Sequence, residues 1–168
     1  SVLAQTSYKE ICVYCWRGGK RSESVAWLLN LYGLHASVLE GGYKAFRHWV
    51  QIQHQSNLEI IVLGGLTGTG KTHTLHALQA QGEQIIDLES LANHKGSVFG
   101  ALLQPPQPST AQFENELGLI IHQLNPNKWV WVEDESRMVG RCCIPQSFWG
   151  ALRQAHVIIV ERPKSFRV

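Results

Sequence analysis

Two short segments hold residue types whose spacing can do chemistry. Gly65-Leu-Thr-Gly-Thr-Gly-Lys-Thr72 places a glycine, four residues, a second glycine, a lysine and a threonine in one frame. Gly68 and Gly70 let successive backbone N–H groups converge, Lys71 adds a cation, and a helix N-terminus behind the loop adds positive potential. The product is a socket for a di- or triphosphate, with Gly65, Gly68, Thr69, Gly70, Lys71 and Thr72 as its expected phosphate-binding residues and Thr72 as the expected magnesium ligand. Such a loop defines a phosphate site but not a reaction, because kinases, nucleotide hydrolases and transferases share it.

The second segment is Cys15-Trp-Arg-Gly-Gly-Lys-Arg-Ser22. It sets a thiol at the end of a strand and directly before a helix. Curled backbone N–H groups, the helix N-terminus and the cations Arg17, Lys20 and Arg21 would all favour thiolate over thiol, making Cys15 a nucleophile near neutral pH. The same loop, with Gly18 and Gly19 at its bend, would hold an oxyanion. Two chemistries share this layout. One is attack on a phosphate ester, which the Cys15-to-Arg21 spacing also suits; the other is attack on activated sulfur or selenium. A carboxylic acid to protonate a phosphatase leaving group has no obvious place near Cys15. Cys12 reads as a small buried hydrophobe, and Cys142 and Cys143 as packing thiols.

These groups need elements to hold them. A β-rich run over 9–15 and an apolar helical pattern from Ser22 to Tyr32 flank the cysteine loop, with Trp27 on the apolar helical face. A strand over Ala36–Leu39, a Gly41-Gly42 turn and a helix from Tyr43 to Gln53 follow. The polar stretch Gln51–Asn57 is the expected linker, dividing the chain into 1–56 and 57–168. Beyond it, Leu58–Leu63 reads as a buried strand and Lys71–Gln81 as a helix ended by Gly82. A strand over Gln84–Leu88 and a polar loop over 93–99 come next. The three prolines of Gln104–Ser109 make a surface loop. A helix over Ala111–Leu124, a strand over Lys128–Val132, a helix over Ile144–Ala155 and a strand over Val157–Val160 complete the pattern. Trp129 and Trp131 alternate with Val130 and Val132 and should pack on one side of their strand. That strand runs into Glu133-Asp134-Glu135, where Asp134 or Glu135 could hold the magnesium or its water, or simply form a solvated turn. Alternating strands and helices predict an α/β fold with parallel sheets.

Composition excludes several classes. Of 168 residues, 44% are hydrophobic and 17% charged, so the chain can bury a core and is neither disordered nor highly charged. A net charge of +2 permits an anionic partner without requiring one. No apolar run approaches the ~20 residues of a membrane span. The first residues lack a secretion leader, which points to a cytoplasmic location and free thiols. The only methionine is Met138, so the chain reads as a piece of something longer.

Both loops together resemble a known family. Tyr14–Ser22 with Leu39-Glu-Gly-Gly-Tyr-Lys-Ala-Phe-Arg47 resembles the C-terminal half of a rhodanese-like domain, and a P-loop NTPase-like parallel-sheet domain follows it directly. That order resembles the tRNA 2-selenouridine synthases. Further similarity lies in Asp87–Ser97, Phe99-Gly100, Gln112–Asn115, Val132–Arg137 and Gly140-Arg141. The resemblance implies an enzyme that replaces the sulfur of 2-thiouridine in tRNA by selenium from selenophosphate, through an S-geranylated intermediate made from geranyl diphosphate. It implies that Cys15 handles the chalcogen and that Gly65–Thr72 holds a diphosphate, with Mg2+ as an accompanying ion. His94, Asp134, Glu135, Arg137 and Arg141 become candidates for a substrate or metal pocket. Lys95 stands where the pattern leads one to expect arginine, which removes bidentate phosphate contact. The rhodanese-like half lacks its first strands and the chain stops early, so it resembles a family member shortened at both ends. A cysteine phosphatase or plain sulfurtransferase fused to a nucleotide-binding domain, and an inactive tRNA- or nucleotide-binding remnant, are the alternatives.

Overall fold

Alternating burial along Glu10–Val13 (β1) and His35–Val38 (β2) marks two strands that each show one face to a helix layer and one to solvent. The structure is a computed structural model and describes residues 10–96 and 100–166. Lys9 of the expected first strand, and Ser97 and Phe99 of the family-like segments, lie outside the described residues. The chain forms two compact units, one ending at Gln51 and the other starting at Ile52.

In the first unit β1 and β2 pair in parallel, Ile11 opposite Ala36 and Val13 opposite Val38. A parallel pair needs a crossover, and Lys20–Leu31 (α1) supplies it. Asn30 fixes the return: its side chain donates to the Ala36 carbonyl at 2.9 Å and accepts from the Ala36 N–H at 2.8 Å. Gly42–Gln53 (α2) follows β2.

Two sequence expectations fail here. Trp27 is 64% exposed, not core, because α1 buries the narrow stripe of Ser22 and Ala26, and Trp27 lies off it. Cys12 is exposed, because it shares the open face of β1 with Glu10.

The second unit is built on four parallel strands in the order β4-β5-β3-β8: Gln84–Ile86, Val130–Glu133, Ile60–Gly64 and His156–Ile159. This is a P-loop NTPase-like α/β sheet. Lys71–Ala80 (α3) packs on β3, β4 and β5. Thr110–Gln123 (α5) presents Phe113, Leu117 and Ile121 at four-residue spacing, and Gln146–Gln154 (α6) presents Phe148 and Leu152. These join Ile60, Val62, Ile86, Val130 and Val132 in one core cluster. Each such side chain contributes about 1.5–3 kcal/mol by leaving water. Ser109 caps α5 by accepting from the Gln112 N–H at 3.2 Å.

Val130 and Val132 thus hold the inner face of β5, while Trp131 is half-buried and donates its ring N–H to Glu83 at 3.4 Å; Trp129 is exposed. The short helix Leu88–Ala92 (α4), capped by Asp87 through the Ser90 N–H, begins where a strand end was expected. A hairpin of Met138–Val139 (β6) and Cys142–Cys143 (β7) was not expected at all. Gln107, inside the proline-rich loop, braces it by donating to the Ala92 and Val139 carbonyls and accepting from the Arg141 N–H.

Candidate functional site

The cysteine loop leaves β1 at its C-terminal end, where parallel α/β units place their ligand-binding turns. Cys15 is half-buried. Its Sγ accepts from the Gly19 N–H at 3.3 Å and from the Ser22 hydroxyl at 3.4 Å. Hydrogen bonds from Ser22, then from the Gly19 and Arg17 backbone, bring the thiol from 9.0 down to about 6. The side chains of Arg17, Lys20 and Arg21 are exposed; of the groups expected to favour the thiolate, the backbone N–H groups contribute, joined by the Ser22 hydroxyl, while the three cations do not figure among the causes. Ser22 is therefore a residue that charge-counting missed, and its place in the first turn of α1 was the available signal.

A second loop holds the first in shape. Tyr43 N–H donates to the Cys15 carbonyl at 2.9 Å and Lys44 N–H to the Trp16 carbonyl at 3.0 Å. The two backbones approach through glycines: a Cβ on Gly42, at φ +63°, would lie 2.2 Å from the Cys15 carbonyl oxygen and 2.3 Å from the Gly18 nitrogen. Gly18, also at φ +63°, is equally closed to a side chain.

In the second unit, β3 ends in the glycine loop and α3 begins at Lys71. Gly65, Gly68 and Gly70 all have positive φ, and a Cβ on Gly65 would meet the Val160 carbonyl at 2.5 Å. Thr69 is buried and ties the loop by donating to the Leu66 carbonyl at 2.8 Å. Lys71 Nζ donates back across the loop to the Gly65 carbonyl at 3.0 Å. The first turn of α3 has no acidic residue to spend its positive end. The loop opens on a cleft of ≈ 700 Å³ that also involves Lys95, Gly96, Glu89 and the Glu133–Ser136 segment. Arg162, after β8, lies beside the loop and adds a cation that the sequence reading missed.

Opposite the loop sit three carboxylates. Glu89, Glu133 and Glu135 each offer an oxygen within 4.8 Å of the others. Glu133, at the end of β5, is 3% exposed, and its Oε1 has no hydrogen-bond partner among the described residues. Burial raises its pKa, opposed by a hydrogen bond from the Thr72 hydroxyl. Burial and the neighbouring Glu135 and Glu133 push Glu89 up to about 7. Glu135 is also raised, chiefly by burial, and shares a hydrogen bond with Glu89.

The remaining candidates disperse. Asp134 turns its carboxylate to Arg153, and both side chains are substantially exposed. Arg141 donates its guanidinium to the Gln107 carbonyl, at the β6–β7 hairpin. Arg137 is exposed, while its carbonyl accepts from the Ile144 N–H. His94 packs where a Cβ on Gly100 would come within 2.7 Å of its ring, and its Nδ1 is buried without a partner among the described residues. None of His94, Arg137 and Arg141 lines the cleft. Glu89 and Gly96 do reach it, and both were passed over in the sequence. Among the described residues no helix is long and apolar enough to cross a membrane.

Comparison with known proteins gives a consistent set of likenesses. The family model described as tRNA 2-selenouridine synthase AAA domain matches residues 58–168. A protein named tRNA 2-selenouridine synthase from Shewanella frigidimarina is 39% identical over 172 residues, covering 99% of this chain and 46% of that protein. One of the same name from Nitrosomonas europaea is 38% identical over 162 residues, covering 93% of this chain and 42% of its own length. The chain thus spans less than half the length of these curated relatives. No solved structure matches it significantly.

Proposed function

The chain belongs to the tRNA 2-selenouridine synthase family, and from that membership we propose that it is the part of a tRNA-modifying enzyme that carries the chalcogen-handling thiol and the diphosphate socket. The observation that carries this reading is the state of Cys15: a thiol with a pKa of about 6, held by the Ser22 hydroxyl and the Gly19 N–H. At neutral pH it is a thiolate, the form that attacks sulfur or selenium.

In this reading Cys15 handles the chalcogen that replaces the sulfur of 2-thiouridine, with selenophosphate as the source. The N–H groups of the Gly18-Gly19 bend, with Arg17, Lys20 and Arg21 around it, receive the donor's anionic end. Gly65–Thr72 holds the diphosphate of geranyl diphosphate, with Lys71 swinging from the Gly65 carbonyl onto phosphate. Thr72 would help to hold an Mg2+ accompanying the diphosphate, which would neutralise phosphate charge. The exposed Leu66 and the neighbouring Ile159 and Pro163 give the loop an apolar flank suited to a prenyl chain. Arg137 and Arg141 are exposed cations open to tRNA phosphates. A tRNA substrate implies work in the cytoplasm.

The test is nucleoside mass analysis of a 2-thiouridine-containing tRNA incubated with the protein, geranyl diphosphate and selenophosphate. The native chain should yield 2-selenouridine. Lys71→Ala should block S-geranylation, whereas Cys15→Ser should allow it and stop selenium entry. Selenium incorporation by Cys15→Ser at the native rate would overturn the assignment of Cys15.

A further inference from the structure

The carboxylates opposite the glycine loop are in excess of what the phosphate socket needs. Glu133 comes from the end of β5, Glu135 from two residues beyond it, and Glu89 from α4, an element outside the loop–strand pair. Their oxygens converge within 4.8 Å. Glu133 is 3% exposed with Oε1 unpartnered among the described residues, and a buried carboxylate oxygen without a donor is costly unless something positive meets it. Lys71 acts on Glu133 at a distance, but its amine donates to the Gly65 carbonyl and Oε1 has no hydrogen-bond partner among the described residues. Glu89 and Glu135 bring carboxylate oxygens together from two separate elements, α4 and the segment after β5. Gly96 closes the cluster: a Cβ there would lie 2.4 Å from Glu89 Oε1 and 3.1 Å from both Glu135 carboxylate oxygens.

An all-oxygen set of three carboxylates, one of them buried and unsatisfied, matches the preference of a hard divalent cation such as Mg2+ or Mn2+. We propose that Glu89, Glu133 and Glu135 form a divalent-cation site that the protein loads on its own, without a bound diphosphate. This goes beyond the ion that accompanies a diphosphate at Thr72, because its ligands come from the protein and include Glu89.

The experiment is titration of the chain with Mn2+ alone, followed by the loss of the free-ion electron paramagnetic resonance signal. Thermal melts of every variant report folding. The native chain should bind one Mn2+. Glu89→Gln, isosteric and uncharged, should weaken binding on the order of tenfold or more, and Glu135→Gln should do the same should Glu89→Gln fold poorly. Glu116→Gln, on α5, should bind as the native chain does. Absence of Mn2+ binding at millimolar ion, binding equally strong in Glu89→Gln and Glu135→Gln when both are folded, or binding only after inorganic pyrophosphate is added would each overturn the proposal. Pyrophosphate binding measured alongside reports the phosphate socket separately, so that failure of the cation site and failure of the functional reading are told apart.

Discussion

The Ser22 hydroxyl, in the first turn of α1, lies 3.4 Å from Cys15 Sγ and 2.9 Å from the Gly19 carbonyl, two acceptors that share its single proton. One buried side chain thereby ties the helix start to the thiol, and it is the foremost cause of the lowered Cys15 pKa.

Alkylation of Cys15 by iodoacetamide should therefore follow a midpoint of about pH 6, flat above it and falling below it as the thiolate is protonated. Ser22→Ala removes the largest contribution and should move that midpoint up by about one pH unit. An unchanged midpoint would show that the backbone N–H groups suffice. Peptide mass analysis separates Cys15 from the exposed Cys12.

Gly42→Ala should damage the cysteine loop without touching the thiol. Its Cβ would collide with the Cys15 carbonyl and the Gly18 nitrogen, backbone atoms that cannot swing away, at a φ that disfavours alanine. A loss of about 2 kcal/mol or more is expected in denaturant unfolding, together with a Cys15 midpoint displaced from about 6.

Lys71→Ala should weaken binding of inorganic pyrophosphate by roughly tenfold or more, the scale of a charge-assisted hydrogen bond. Because Lys71 is the first residue of α3 and its amine donates to a loop carbonyl, the thermal midpoint should change little. Calorimetric titration checks both the affinity and the stoichiometry.

Asp134→Asn should leave pyrophosphate affinity within about twofold and stability within about 0.5 kcal/mol, because the Arg153–Asp134 pair is exposed on both sides and such pairs contribute little. A large loss on Asp134→Asn would place that carboxylate, rather than Glu133, at the centre of the cleft.

The loops were legible in sequence because their chemistry is local. Gly65–Thr72 and Cys15–Ser22 are continuous, each follows a strand and precedes a helix, and Gly18, Gly65, Gly68 and Gly70 carry the positive φ values that such bends require. The parallel sheet was legible for a similar reason, since Ile60–Leu63, Val130–Val132 and Val157–Ile159 each stand out as short β-branched runs. What could not be read is what depends on distance in the chain. Gly42 matters through a clash with Gly18, and Glu89 meets Glu135 only when α4 and the end of β5 are brought together. The three consecutive acids that begin at the last residue of β5 could not be ranked by type; burial singles out Glu133, while Asp134 turns to Arg153. Trp27 failed for another reason. Apolar residues surround α1, so periodicity alone did not say that Ser22 and Ala26, the small ones, form the packed stripe.

The most direct test of Cys15 as the chalcogen-handling nucleophile is the mass of its peptide after the chain meets thiosulfate. Attack of the thiolate on the outer sulfur breaks the S–S bond and releases sulfite, leaving a persulfide. The account predicts the mass of one added sulfur atom on the Cys15 peptide, reversed by a reductant and lost in Cys15→Ser. Sulfur spread equally over Cys12 and Cys143, or none on Cys15 at a pH where it alkylates readily, would contradict it.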